Sequence, residues 1–353
     1  MTKPIILFSI LFILTLTGTT CKDSNPVDGN CTNCPTKPDT TSHNFIWKLD
    51  TLGAEGSVVN DVAVISENDI WVVGKFYRVP FGGNDTVAYN AMHWDGVKWE
   101  LKSILIRLDY QADIVIDVVP ITAIKNTTDN HIWVSTGVGG ASYYDGIKWF
   151  QKIIPWGSGF NTTRIWGESS NKLYFGGTNG SLTYWNGSTF TKLETGTTKN
   201  VIDMWGCGDS MLVSFQDELK SVNGLTVKNY PQTGLSGSII SVWYDCQDSL
   251  KYSMAGNGLR KKNNSSNVWQ EIIFSSSKNG YRIRGTKWSD IYLIGSGTSV
   301  SHFNGKSWKV LTNEIPKPAN DSPALRFLSV NGNYGAIIGL GFGNSYIIRF
   351  KHL

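Results

Sequence analysis

Apolar residues recur along this chain in short bursts divided by polar turns, and the bursts come in sets of four. The first burst of a set ends near a tryptophan, as in TRIWG (Thr163–Gly167), IDMWG (Ile202–Gly206) and ISVWY (Ile240–Tyr244). The second reads DIWVVG (Asp69–Gly74), HIWVST (His131–Thr136), KLYFGG (Lys172–Gly177) and DIYLIG (Asp290–Gly295). The third closes on an aromatic residue before an Asx-Gly step: Asp95-Gly96, Asp145-Gly146, Asn186-Gly187 and Asn304-Gly305. The fourth starts with Trp99, Trp149, Phe190 or Trp308, three residues after that glycine. Bursts this short, with turn residues between them, read as strands rather than helices, and four strands repeated many times read as propeller blades.

Along the second burst, Trp133, Tyr174, Leu212, Lys251, Tyr292 and Ala336 recur at intervals of about 40 residues, the length of a four-stranded blade. The interval from Trp71 to Trp133 is longer, so seven repeats carry one large insertion. The expected fold is all-β: a seven-bladed β-propeller of four-stranded antiparallel blades. Two blades depart from the pattern, one with Val227 at the aromatic position and one with KKNNSSN (Lys261–Asn267) in place of the turn. The Asx-Gly steps, Asn223-Gly224 among them, supply residues that tolerate positive φ in a primed hairpin turn. The seventh set lacks a fourth strand. FIWKLDT (Phe45–Thr51) matches the fourth run SWKVLT (Ser307–Thr312), so residues 45–51 are expected to join the last blade and close the ring.

In such a meander the first-to-second and third-to-fourth turns share one face, and they are short here. The other connections lie on the opposite, top face, and two are long: Lys75–Asn90 and Ile104–Val119. Long loops on a rigid scaffold concentrate binding residues. The expected ligand contacts are therefore Tyr77, Arg78, Phe81, Asp85, Tyr89, Arg107, Asp109 and Tyr110, with Trp156 and Phe160 from the next inter-blade loop. Exposed Trp and Tyr beside Arg and Asp suit a glycan or a protein hot spot; the plainer alternative is that these rings fold back as lids over the blades.

Composition agrees with this picture and narrows the partner. The chain has 353 residues, 43 of them aromatic and 37 glycine, and a net charge of only +4. That balance is too mild for a nucleic-acid partner. The start, Lys3 followed by PIILFSILFILTLTGTT and Cys21, is too short for a spanning helix and similar to a bacterial lipoprotein signal. Residues 1–20 are expected to be the signal, 21–43 a flexible tether and 44–353 the propeller, lipidated at Cys21 and held at the cell envelope outside the cytoplasm.

Sought chemistry is sparse. The five histidines form no His-x-His or His-x-x-x-His pair, so no metal site is expected from local spacing, and no cofactor motif is present. There is no Gly-x-Ser-x-Gly elbow and no assignable catalytic residue. Cys31 and Cys34 share the tether and have each other as the available disulfide partner. Cys207 and Cys246 fall in first-to-second turns of neighbouring blades; they pair if their Cα atoms come within about 7 Å, and otherwise serve as small core residues.

The aromatic-Asx-Gly-x-x-Trp unit, at Gly96/Trp99, Gly146/Trp149 and Gly305/Trp308, resembles a loosened Asp-box of sialidase-type propellers. Trp94, Tyr144 and Phe303 stand where that motif has its aspartate. The leader, DTTSHNFIWKLDTLG and YNAMHWDGVKW together resemble secreted bacterial propellers that carry the name glucosyltransferase. The primary functional expectation is a monomeric, lipid-anchored binding module for a glycan or an extracytoplasmic protein. The alternative is a carbohydrate-active enzyme with its site at the mouth of the central channel.

Overall fold

Seven four-stranded antiparallel sheets make up the fold in the computed structural model. It describes residues 40–353 apart from 81, 84–86, 111–112 and 156–160. The first strands of blades 1 to 7 are Val58–Ser66, Ile121–Asn126, Thr162–Ser169, Val201–Cys207, Ile239–Tyr244, Gly280–Lys287 and Ala324–Asn331. No helix occurs among the described residues. Blade 7 is completed by Phe45–Leu52, which pairs antiparallel with Ser345–His352 so that Lys48 faces Arg349 and Phe45 faces His352. This seam is polar as well as apolar: Arg349 donates from Nε to Asp50 Oδ2 (2.7 Å) and stacks 3.7 Å from the Trp94 ring of blade 1. The ring therefore closes as its sequence pattern requires.

The repeated turn works differently from the primed geometry expected of it. Only the glycine takes positive φ, 95° at Gly96 and 94° at Gly146. The Asx residue instead uses its side-chain oxygen: Asp95 Oδ1 accepts from the amides of Val97 and Lys98, both at 2.8 Å. Asp145, Asn186 and Asn304 repeat the arrangement. An Asx oxygen thus stands in for the backbone acceptor. The aromatic residue after each turn packs against the preceding blade: Trp308 stacks on Phe274 at 4.5 Å, and Trp149 meets Trp71 edge-on at 5.8 Å.

The 104–119 segment, expected as a loop, folds into a two-stranded hairpin, Ile106–Tyr110 with Asp113–Asp117. Ile104, Ile106 and Leu108 are its buried side and join the core between blades 1 and 2. The buried amide of Asn90 fastens both ends, bonding Ile104 through N–H and C=O and the carbonyl of Val119. Ile114, Val115 and Ile116 of its second strand are exposed.

Blades 4 and 5 are joined by a Cys207–Cys246 disulfide, with Cα atoms 5.4 Å apart and a sequence separation of 39. A loop of that length restricts the unfolded chain enough to be worth about 4 kcal/mol. Replacing both cysteines by serine is therefore expected to lower the unfolding free energy by about 2–4 kcal/mol, read as an earlier midpoint in a urea titration.

Candidate functional site

Every first strand carries a register shift at the same place, between Val59/Asp61, Ile121/Ala123, Thr162/Arg164, Val201/Asp203, Ile239/Ser241, Gly280/Arg282 and Leu325/Phe327. A bulge re-aims the residue that follows it and leaves amides unpaired along the inner edge. In this ring the residues after the bulge supply those amides with acceptors on the neighbouring blade. Asp61 accepts from Ile124 N (3.1 Å), Asp203 from Val242 N (3.0 Å), and Ser241 Oγ from Ile283 N (3.2 Å).

The same positions gather charge in the central channel, a cavity of about 90 Å³. Asp203 binds Arg282 (Nη1–Oδ1 2.6 Å), Arg284 (Nη2–Oδ1 2.8 Å) and Ser241 Oγ (2.6 Å). Burial alone would raise the Asp203 pKa; the charges of Arg282 and Arg284 outweigh it and hold the carboxyl well below its usual range. Asp61 is pushed the other way by burial, against the opposing pull of Arg164. With Arg164 and Lys125, the lining holds four cations and two carboxylates. None of these residues stood among the sequence candidates. Their one signal was one or two charged residues inside an apolar first run, as in VVNDVAV, TTRIWG, VIDMWG and GYRIRG.

From the channel a groove of about 1160 Å³ runs outward between blades 1 and 2, on the face of the short turns. Trp71, Tyr144 and Trp149 form its aromatic wall, with His93 stacked on Trp71 at 4.3 Å. Most of its charges are already engaged: His93 with Asp69 (2.9 Å), Lys102 with Glu100 (2.7 Å), and Glu168 Oε1 with the amide of Gly208 (2.9 Å). Among the charged side chains lining the groove, Lys125 alone has no hydrogen-bond partner within the described residues. Burial, then the nearby Arg284, lowers its pKa to about 8. Lys125, Trp205 and Val330 line both cavities, so this ammonium stands where groove and channel meet.

A second polar cluster lies beyond the reach of the local histidine spacings searched in the sequence. Three of the five histidines, far apart in sequence, meet at the seam between blades 6 and 7. Asp290, His302 and His352 are buried, with ligand-type atoms all within 4.8 Å of one another, and His43 Nδ1 lies 2.9 Å from His302 Nδ1. Local spacing could not reveal residues contributed by the start, the sixth blade and the end of the ring.

Of the ten expected top-face contacts, Tyr77, Arg78, Tyr89 and Arg107 have described side chains. Tyr77 is half-buried with its amide on Ser57 Oγ (3.0 Å), Arg78 is exposed, and Tyr89 packs into the core between blades 1 and 7. Arg107 is half-buried within the hairpin. Asp109 and Tyr110 belong to the same strand, but their side chains lie outside the described residues, as do Phe81, Asp85, Trp156 and Phe160 altogether. Cys21, Cys31 and Cys34 also lie outside them.

No family model and no curated protein matches the chain. Solved structures similar to it are propellers. One described as YCF48 bound to D1 peptide has a TM-score of 0.61 at 11% identity, covering 86% of this chain and 95% of that one. The WD40 propeller domain of Doa1 gives 0.62 at 13%, covering 88% and 98%. Virginiamycin B lyase from Staphylococcus aureus with quinupristin gives 0.60 at 9%, covering 88% and 100%. At these identities the likeness fixes the architecture: the chain is a β-propeller.

Proposed function

We propose that the protein is an interaction module that holds an extended protein segment in the groove between blades 1 and 2, anchored by an acidic side chain or terminal carboxylate on Lys125. The observation that carries this reading is the unpartnered Lys125 ammonium at the inner end of a large groove whose other charges are engaged. Neighbouring channel cations add attraction for an anion. The YCF48 propeller bound to D1 peptide supports the idea that this architecture can hold peptides. A sugar platform needs a bare ring face, and His93 covers one face of Trp71. Hydrolytic chemistry needs carboxylates free to reach a substrate, whereas Asp61 and Asp203 are both committed to bonds between or within blades. The module would sit at the cell envelope, tethered through a lipid on Cys21.

The test is photo-crosslinking from two positions, Asn130 in the groove and Ile116 on the opposite face, in cell-envelope extracts. Capture is expected from Asn130 and is expected to disappear with Lys125→Glu. Affinity for the captured partner should also fall as pH rises through about 8, where the ammonium loses its proton. Capture from Ile116 alone would place binding on the hairpin instead.

A further inference from the structure

We infer that Asp290, His302 and His352 form a binding site for one divalent transition metal ion of the zinc class, placed on the seam that closes the ring. Asp290 Oδ1 lies 3.0 Å from His302 Nε2 and 3.1 Å from His352 Nδ1. Around zinc with bonds of about 2.0–2.1 Å, tetrahedral ligand atoms stand roughly 3.3 Å apart. The observed set therefore needs to spread by only tenths of an ångström on those two edges. Two imidazoles and a carboxylate leave a fourth position open, and the Tyr292 hydroxyl is 3.3 Å from His352 Nδ1, close enough to orient a water there.

The stronger argument is the outer layer. Metal-bound histidines almost always donate their second N–H to a fixed acceptor, which sets the tautomer and the ring plane. Here His352 Nε2 faces the carbonyl of Ser42 at 2.9 Å, and His302 Nδ1 faces His43 Nδ1 at 2.9 Å. His43 continues the chain through Nε2 to Ser307 Oγ at 3.5 Å. Asp290 Oδ2 takes the hydroxyl of Thr286. All three ligand residues are thus held from behind with their remaining atoms converging on one point. Imidazole with carboxylate is the donor set of zinc, cobalt and nickel rather than of calcium or magnesium.

Loading would change protonation in a defined way. Without metal, His302 Nε2–H donates to Asp290, so its Nδ1 accepts from His43. With metal on Nε2, the proton sits on Nδ1 and is donated to His43 Nδ1, while His43 carries its own proton on Nε2, facing Ser307 Oγ.

The experiment uses the full, untagged chain carrying Cys21→Ser, Cys31→Ser and Cys34→Ser, which removes the tether thiols as ligands. After chelation it is dialysed against zinc sulfate, and metal per chain is measured together with the unfolding temperature. One zinc per chain is expected, with an unfolding temperature that rises with free zinc and falls with chelator. His302→Gln with His352→Gln should abolish uptake. His43→Gln should keep the stoichiometry and weaken affinity roughly ten- to a hundred-fold. Because the ligand variants remove buried groups, imidazole ¹⁵N shifts of the parent chain give an independent readout: zinc should move the His302 proton from Nε2 to Nδ1. Absence of bound zinc, an unchanged His302 tautomer, or equal uptake by the double variant would each overturn the site.

Discussion

A chain beginning at Gly53 is expected to lose cooperative unfolding and to aggregate, because the strand Phe45–Leu52 is the outermost quarter of blade 7. Its removal takes the fully buried Leu52 out of one core cluster and Phe45, Trp47 and Leu49 out of another. Full burial, as for Leu52, is worth about 1.5–3 kcal/mol, and the three partly buried side chains add to it, a large share of a domain's net stability. Arg349 would lose both bonds to Asp50, and Trp99 would lose its own bond to that carboxylate. The strand Ser345–His352 would become a bare hydrogen-bonding edge, the feature that drives strand-to-strand association. A synthetic peptide of residues 40–52 supplied in trans should restore the cooperative transition in calorimetry. An unchanged melting curve for the shortened chain would mean that the closing strand contributes nothing.

Substituting Asp203 with alanine should cost about 3–5 kcal/mol, since it leaves two buried guanidinium groups, Arg282 and Arg284, without their counter-ion. It also removes the acceptor for Ser241 Oγ and Val242 N. The pH dependence has a defined sign. The folded Asp203 pKa is depressed, so its stabilisation is present above the unfolded value of about 4 and is lost only as pH falls toward the lower folded value. The gap between parent and variant in denaturant titrations should stay level from neutral pH down to about 5 and shrink in stronger acid. Combining the change with Arg284→Met should recover part of the loss if unpaired charge is the cause. A double variant less stable than the sum of the two singles would point to packing instead.

The architecture was legible because its determinants are local and repeated. An Asx residue, a glycine and an aromatic at fixed offsets mark the outer hairpins of blades 1, 2, 3 and 6, and Trp47-Lys48-Leu49 carries the fourth-strand pattern to the front of the chain. The channel cluster was not legible because each blade contributes one or two of its members. Asp203 reads as an ordinary strand residue until blade 6 places Arg282 and Arg284 against it across 79 and 81 positions of sequence. His43 and His302, 259 residues apart, escape any spacing rule for the same reason. The long insertions drew attention to the top face, yet Ile104, Ile106 and Leu108 turn one of them into core. Lys125 gave no cue, since KNTTDN reads as the end of a strand and a turn.

The order in which the ring is assembled follows from where its ends meet. Ser42 donates its hydroxyl to the carbonyl of Leu353 across 311 positions, and Leu353 N reaches back to Asn44. Whatever the other blades do early, Phe45–Leu52 must wait for Ser345–His352 (Asp50 and Arg349 are 299 positions apart) before blade 7 can exist. Loss of Ser345–His352 would strand that early segment without a mate, so the join acts as an inspection that a copy lacking it fails.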